Sequence, residues 1–273
     1  MVEWIIEPLS YAFIMRGLAA AILTGIACAV LSAFVVWRGM SFVGDAMAHA
    51  ILPGIVLAYI TGTSLFFGAL GMAVIVAAGI GWLSRRGEIK EDTAIGVIFT
   101  GFFALGILML SRVTSYQDLT HILFGDILGV STGDLTIMLV IMVIVLAVIF
   151  VFYKELLVTS FDPSHSIAIG LSPELVRYGL LMLIALTVVS AIQVVGVVLV
   201  LALLITPAAA ASQLARRLPA IIGLSVLFAV ISAIVGFYAS YYANVASGSA
   251  VVLTLTVIFG ISFGVNTLKN RIK

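Results

Sequence analysis

Charged residues divide this sequence into uncharged apolar runs one or two bilayer crossings long, a pattern that only membrane-spanning helices accommodate. A crossing takes about 20 mostly apolar residues. In hydrocarbon every backbone N–H and C=O must be paired within the segment, which a helix achieves by itself. One such run lies between Arg16 and Arg38. Residues 40–84 are long enough for two, with Gly62-Thr63-Ser64 as the divider. Thr93 to Ser111 gives a fourth span and Leu135 to Tyr153 a fifth. Residues 178–215 are again of double length, with a break expected near Gly196, and the run from Leu218 to Leu268 is interrupted at residues 241–248. The total is nine spans, or eight without the break at Gly196. The expected fold is all-α and polytopic, one transmembrane domain over residues 1–273 with no soluble domain.

Composition points the same way. The chain is 63% hydrophobic and 9% charged, with a mean hydropathy of +1.32, whereas soluble domains hold about 45–50% apolar and about 25% charged residues. A net charge of +1 offers no basic face for nucleic acid. The single cysteine, Cys28, lies in an apolar run and reads as a small buried hydrophobe. Residues 1–8 are acidic and aromatic rather than basic, so they read as an interfacial segment with Trp4 at the headgroup level, not a signal peptide.

Orientation follows from the basic residues. With the 84–92 loop in the cytoplasm, eleven fall inside (Arg38, Arg85, Arg86, Lys90, Lys154, Arg177, Arg216, Arg217, Lys269, Arg271 and Lys273) and only Arg16 and Arg112 outside. The amino terminus is then external and the carboxyl terminus cytoplasmic. Two connections exceed a simple turn. The external one contains an apolar stretch, Leu119 to Leu128, long enough to dip into the membrane but not to cross it. The internal one carries Asp162 or Ser164 as a cap for a short helix from Pro163 or Ser164 to about Ile169, with Gly170 as its stop.

One pair of side chains breaks the apolar rule. Residues 46–84 hold no Asp, Glu, Lys or Arg, yet Asp45 and His49 stand one helical turn apart at the start of the second span. Positions i and i+4 share a helix face, and ionisable groups at membrane depth usually mark an ion or substrate path. At 1.5 Å per residue His49 lies roughly 16 Å beyond Arg38, near the midplane of a core about 30 Å thick. Pro53, a turn further on, has no N–H to give the His49 carbonyl. Two ligands in one chain are too few for a closed site. Two copies around a pore would offer two carboxylates and two imidazoles, a set suited to Mn²⁺, Fe²⁺ or Zn²⁺ and not to Cu(I). The plainer alternative makes Asp45 a helix-start acid and leaves His49 to hydrogen-bond a neighbouring helix.

At these residues the chain resembles the permease subunits of bacterial metal-ion ABC importers, the family that takes up manganese, zinc or iron(II). The resemblance rests on Arg38-Gly39-Met40-Ser41-Phe42-Val43-Gly44-Asp45-Ala46-Met47-Ala48-His49-Ala50-Ile51-Leu52-Pro53-Gly54, on Asp92-Thr93-Ala94-Ile95-Gly96, and on His121-Ile122-Leu123-Phe124-Gly125-Asp126-Ile127-Leu128. Further on it rests on Ser160-Phe161-Asp162-Pro163, on Leu203 to Ala211 and on Ala246 to Leu253. It implies a multi-pass protein of the bacterial plasma (inner) membrane that works with a second permease copy, two cytoplasmic ATPases and an external metal-binding solute-binding protein. It also implies that Asp45 and His49 meet the transported metal. Within residues 160–173, Phe161, Asp162, Pro163, Ala168, Gly170 and Leu171 are similar to the coupling helix that contacts the ATPases. Likeness to the manganese branch at residues 40–54 and 121–130 favours Mn²⁺ as cargo, with Zn²⁺ or Fe²⁺ as alternatives. No G-x-x-x-x-G-K-[ST] phosphate loop occurs, so the chain is read as a transport subunit, not an enzyme, with no bound cofactor of its own.

Other signals carry less. Gly129-Val130-Ser131-Thr132-Gly133 matches a nucleophile pattern that requires a strand-to-helix elbow, and here it reads as turn chemistry. The Gly260 to Gly264 spacing suggests a close helix contact. Gln193, deep in a span, is expected to hydrogen-bond between helices, and His165 to lie at a surface or interface. Asp118, His121 and Asp126 are candidates for an external relay or for contact with a delivery protein. A proton-coupled secondary transporter is the rival from another class, though no inverted repeat with a paired acidic site is apparent.

Overall fold

The structure is a computed structural model that describes residues 7–8, 10–85, 89–112, 127 and 129–272. The expected re-entrant stretch apart from Ile127, the Asp118, His121 and Asp126 positions and Trp4 lie outside those residues. Twelve helices are named here: α1 Ala12–Trp37, α2 Val43–Ala50, α3 Leu52–Thr61, α4 Leu65–Leu83, α5 Glu91–Leu110 and α6 Thr132–Val151. They continue as α7 Tyr153–Phe161, α8 Pro163–Ala168, α9 Pro173–Val195, α10 Val197–Leu214, α11 Leu218–Ala243 and α12 Ser247–Ile272. With α2 and α3 counted as one interrupted crossing, nine spans are long and apolar enough to cross a membrane among the described residues.

The dividers work through specific backbone chemistry. Gly62 takes φ +66, and the Thr63 N–H reaches back to the Ala58 carbonyl at 2.9 Å, which closes the end of α3. Gly196 takes φ +82, a conformation that costs glycine little, and splits α9 from α10 where a break was expected. Ser131 heads α6: its hydroxyl accepts from the Asp134 N–H at 3.1 Å, while the Asp134 carboxylate accepts from the Ser131 N–H and hydroxyl. That is a reciprocal helix cap, and it accounts for the G-x-S-x-G match as turn chemistry.

The chain divides into two compact units. The first comprises residues 1–36, 122–142 and 191–273. In it α10, α11 and α12 pack on one another, and a Cβ added at Gly25 of α1 would stand 3.5 Å from the Ala229 Cβ of α11. Ser32 of α1 meets α10 at Pro207, where the ladder lacks an N–H. Its hydroxyl donates to the Ile205 carbonyl at 3.3 Å and accepts from the Ala208 N–H at 3.2 Å. The Gly260 to Gly264 spacing makes no such approach: nothing described lies within 4 Å of a Cβ at either position. The close contact of α12 forms instead at Val251, against Gly236 of α11.

The second unit comprises residues 37–121 and 143–190. Here α2, α3, α4 and α5 pack together. α3 and α4 approach backbone to backbone at Gly54 and Gly68, the small-residue packing that lipid-embedded helices favour in place of a hydrophobic drive. The short α8 matches the expected helix closely. The Asp162 carboxylate accepts from the His165 N–H at 2.8 Å, Pro163 occupies the first turn, and Gly170 at φ +83 ends it. Leu171 and Gly170 donate to the Ser166 and Ile167 carbonyls at 2.9 and 3.0 Å, satisfying acceptors that the helix end would otherwise leave bare.

Candidate metal site

The crossing that contains Asp45 and His49 is broken at Ile51, between α2 and α3. Pro53 supplies no N–H to the His49 carbonyl, and the Ile51 N–H turns to that carbonyl instead. The Gly54 and Ile55 N–H groups then both converge on the Ile51 carbonyl, at 3.0 and 3.2 Å, restarting the helix. Asp45 stands in the first turn of α2 and His49 in the last turn before this break.

Asp45 Oδ1 and His49 Nε2 stand 3.4 Å apart. The helical spacing thus brings the two side chains together as the sequence implied. Their surroundings matter more than the distance. Val43, Gly44, Ala46, Met47, Ala48 and Ala50 are all buried, while the Asp45 and His49 side chains keep 40% and 30% of their surface. A lipid-facing helix shows the reverse, with its apolar side chains outward. Within α2 the open stripe is the ionisable one, as expected of a wall facing water or another polar surface.

Two aromatic rings complete the local wall. His49 lies 5.3 Å from Phe103 and 6.1 Å from Phe99, centroid to centroid, and those two rings of α5 stack on each other at 5.7 Å and 17°. They limit the positions the imidazole can take. Sequence reasoning missed them, although their i, i+4 spacing in the fourth span was a legible sign of one shared face. Among the described residues no third His, Cys, Asp or Glu joins Asp45 and His49, so one chain provides an oxygen and a nitrogen donor and no complete shell.

The remaining candidates fall elsewhere. Phe161, Asp162, Pro163, Ala168 and Gly170 are exposed and Leu171 is half-buried, all in and around α8. His165 is exposed in α8, as expected of a surface residue. The amide nitrogen of Gln193 is buried without a hydrogen-bond partner, so the interhelical bond expected of it is not made through that atom. Cys28 and Met47 are fully buried packing residues.

The sequence pattern of the ABC 3 transport family matches residues 10–266. The chain belongs to that family. It is 46% identical over 258 residues to the manganese transport system membrane protein MntC of Halalkalibacterium halodurans, covering 94% of this chain and 88% of that one. It is 40% identical over 271 residues to a probable iron transport system membrane protein of Haemophilus influenzae, covering 99% of this chain and 100% of that one. Among solved structures it is similar to PsaBC from Streptococcus pneumoniae in complex with Fab, with a TM-score of 0.83 and 40% identity over 96% of this chain and 95% of that one. The resemblance drawn from the motifs is thereby carried over nearly the whole length.

Proposed function

We propose that this chain is the permease subunit of an ATP-driven importer of divalent transition-metal ions, with Mn²⁺ the favoured cargo, and that Asp45 and His49 form its ion-contacting point. The observation that carries the reading is the inverted exposure of α2, where the two ionisable side chains are open and their apolar neighbours buried. Family membership and the manganese and iron named for its relatives support the cargo class. A carboxylate and an imidazole without thiolate suit Mn²⁺, Fe²⁺ or Zn²⁺, and an incomplete shell suits an ion that must be released as well as bound.

The pair has half of what a transition ion requires. A second permease copy would bring the same two donors and complete the set, so a homodimer is the expected assembly. ATP hydrolysis falls to two separate cytoplasmic ATPases, docked at residues 160–173, where Phe161, Ile167 and Ile169 present an exposed apolar surface. An external solute-binding protein delivers the metal. The excess of basic residues on one side favours a bacterial plasma membrane orientation with an external amino terminus and a cytoplasmic carboxyl terminus.

The test is uptake of Mn²⁺, Zn²⁺ and Fe²⁺ by the reconstituted complex with ATP as the variable. Asp45→Ala and His49→Ala are each expected to abolish uptake while the complex still assembles. Full transport by both variants refutes the site. Uptake driven by a pH gradient with no ATPase present replaces this function with a proton-coupled carrier.

A further inference from the structure

Three buried or half-buried charges of the second unit have no part in the metal site, yet they sit where its helices begin. Arg38 lies in the link between α1 and α2, seven positions before Asp45. Glu91 opens α5, the helix that carries Phe99 and Phe103. Arg177 lies in the first turns of α9, its two terminal nitrogens donating to the Ser84 and Gly81 carbonyls at 3.1 and 3.0 Å, which fastens α9 to the end of α4. Its Nε stands 4.0 Å from Glu91 Oε1, a carboxylate oxygen buried without a hydrogen bond.

Arg38 is committed elsewhere. Its Nη2 donates to Thr159 Oγ1 at 2.9 Å and its Nε to Ser160 Oγ at 3.0 Å. Both hydroxyls are aimed, because each also donates into its own helix: Thr159 to the Glu155 carbonyl at 2.7 Å and Ser160 to the Leu156 carbonyl at 2.6 Å. Beside this fork the Trp37 ring packs on Phe161 at 4.5 Å. Trp37 and Arg38 therefore hold three consecutive residues at the end of α7, immediately before the Asp162 cap of α8.

The other side of this grip is anchored. Gly39 turns at φ +71, Met40 and Val43 are fully buried, and the Val43 N–H bonds the Met40 carbonyl at 2.9 Å. Only residues 39–42 separate Arg38 from the start of α2. Burial lowers the Arg38 pKa from its ordinary value, the Glu91 charge raises it and the Arg177 charge lowers it. A guanidinium remains charged under such pressure and keeps its planar fork.

We propose that Arg38 is a positioning residue for transport: through its fork on Thr159 and Ser160 it carries displacement of the α7–α8 element to the helix that bears Asp45. The inference rests on the importer reading given above. α8 is where an ATPase would push, α2 is where the ion is met, and Arg38 joins the two by a pair of hydrogen bonds; Thr159→Val removes one of them, and Arg38→Lys removes the planar fork that makes both. Thr159 is buried, so its hydroxyl is not itself part of an exposed docking face, and valine matches its shape.

The experiment measures Mn²⁺ uptake and ATP hydrolysis together in the reconstituted complex, for the parent, Thr159→Val, Arg38→Lys and the hydroxyl-retaining Thr159→Ser. Thr159→Val and Arg38→Lys are expected to keep hydrolysing ATP with the Mn²⁺ KM unchanged, while ions moved per ATP fall roughly tenfold, the scale of a typical coupling between sites. Thr159→Ser is expected to hold the parent ratio. An unchanged ratio in Thr159→Val, or uptake and hydrolysis falling in equal proportion, overturns the coupling role and leaves the importer reading standing. A parent complex that moves no metal with ATP overturns both.

Discussion

The approach of α3 to α4 at Gly54 gives the sharpest quantitative prediction. A Cβ added there would stand 2.6 Å from the Met72 Cβ and closer still to the Gly68 carbonyl oxygen. Carbon atoms rest at about 3.5–4.0 Å, so the two helices must part by about 1 Å. The obstacle is backbone, and no rotamer change relieves it. Gly68 faces the reciprocal contact with Ala58, so the strain has no second route of escape. Overpacking of this kind costs about 1–3 kcal/mol, and a backbone clash belongs at the upper end. Alanine returns about 1 kcal/mol through helix propensity. The net loss is about 2 kcal/mol, a fall in Tm of about 4–8 °C for a chain of this size. Gly71 is the control, since nothing lies within 4 Å of a Cβ there and the position is exposed on the same α4. Thermal melts of the purified protein should therefore show Gly54→Ala well below the parent and Gly71→Ala at or above it. Because Gly54 follows Pro53 on the crossing that bears His49, Gly54→Ala should also lower metal uptake. If the two variants melt together, α3 and α4 do not meet backbone to backbone and the packing argument fails.

Two further perturbations address the site and the short helix. Phe103→Ala removes the nearer ring beside His49, and outer groups that orient a ligand typically contribute about 10–100-fold in metal affinity; Mn²⁺ KM should rise by roughly tenfold, and an unchanged KM would show that the ring does not orient the imidazole. Gly170→Ala forces a Cβ into a left-handed conformation that costs about 1–2 kcal/mol. Amide exchange at residues 164–171 should accelerate while the metal KM stays at the parent value, and unchanged exchange would show that the α8 stop does not depend on glycine.

Much of the architecture was legible because hydrocarbon leaves the chain few options. The dividers at Gly62-Thr63-Ser64 and near Asn244 combine backbone geometry with polarity, Gly196 offers backbone freedom alone, and the helices break at all three. α8 was readable for a similar reason, with Asp162, Pro163 and Gly170 each satisfying a distinct need of a helix end. The pairing of Asp45 with His49 followed from spacing alone. What the sequence concealed was three-dimensional adjacency. Phe99 and Phe103 look like any apolar pair until α5 is packed on α2. Arg38 and Arg177 read as topology markers, since a basic residue at the end of a span has that role by default, and nothing in the sequence singled out Glu91. The GxxxG of α12 makes no close approach to the described residues of its own chain, because spacing states that such an approach is permitted and not which partner takes it.

Ser32 has a consequence of a different kind. Its hydroxyl is bonded on both sides of Pro207, to the Ile205 carbonyl and the Ala208 N–H. One oxygen on α1 thus serves as both donor and acceptor across the proline of α10, and an alanine at position 32 would withdraw both bonds at once.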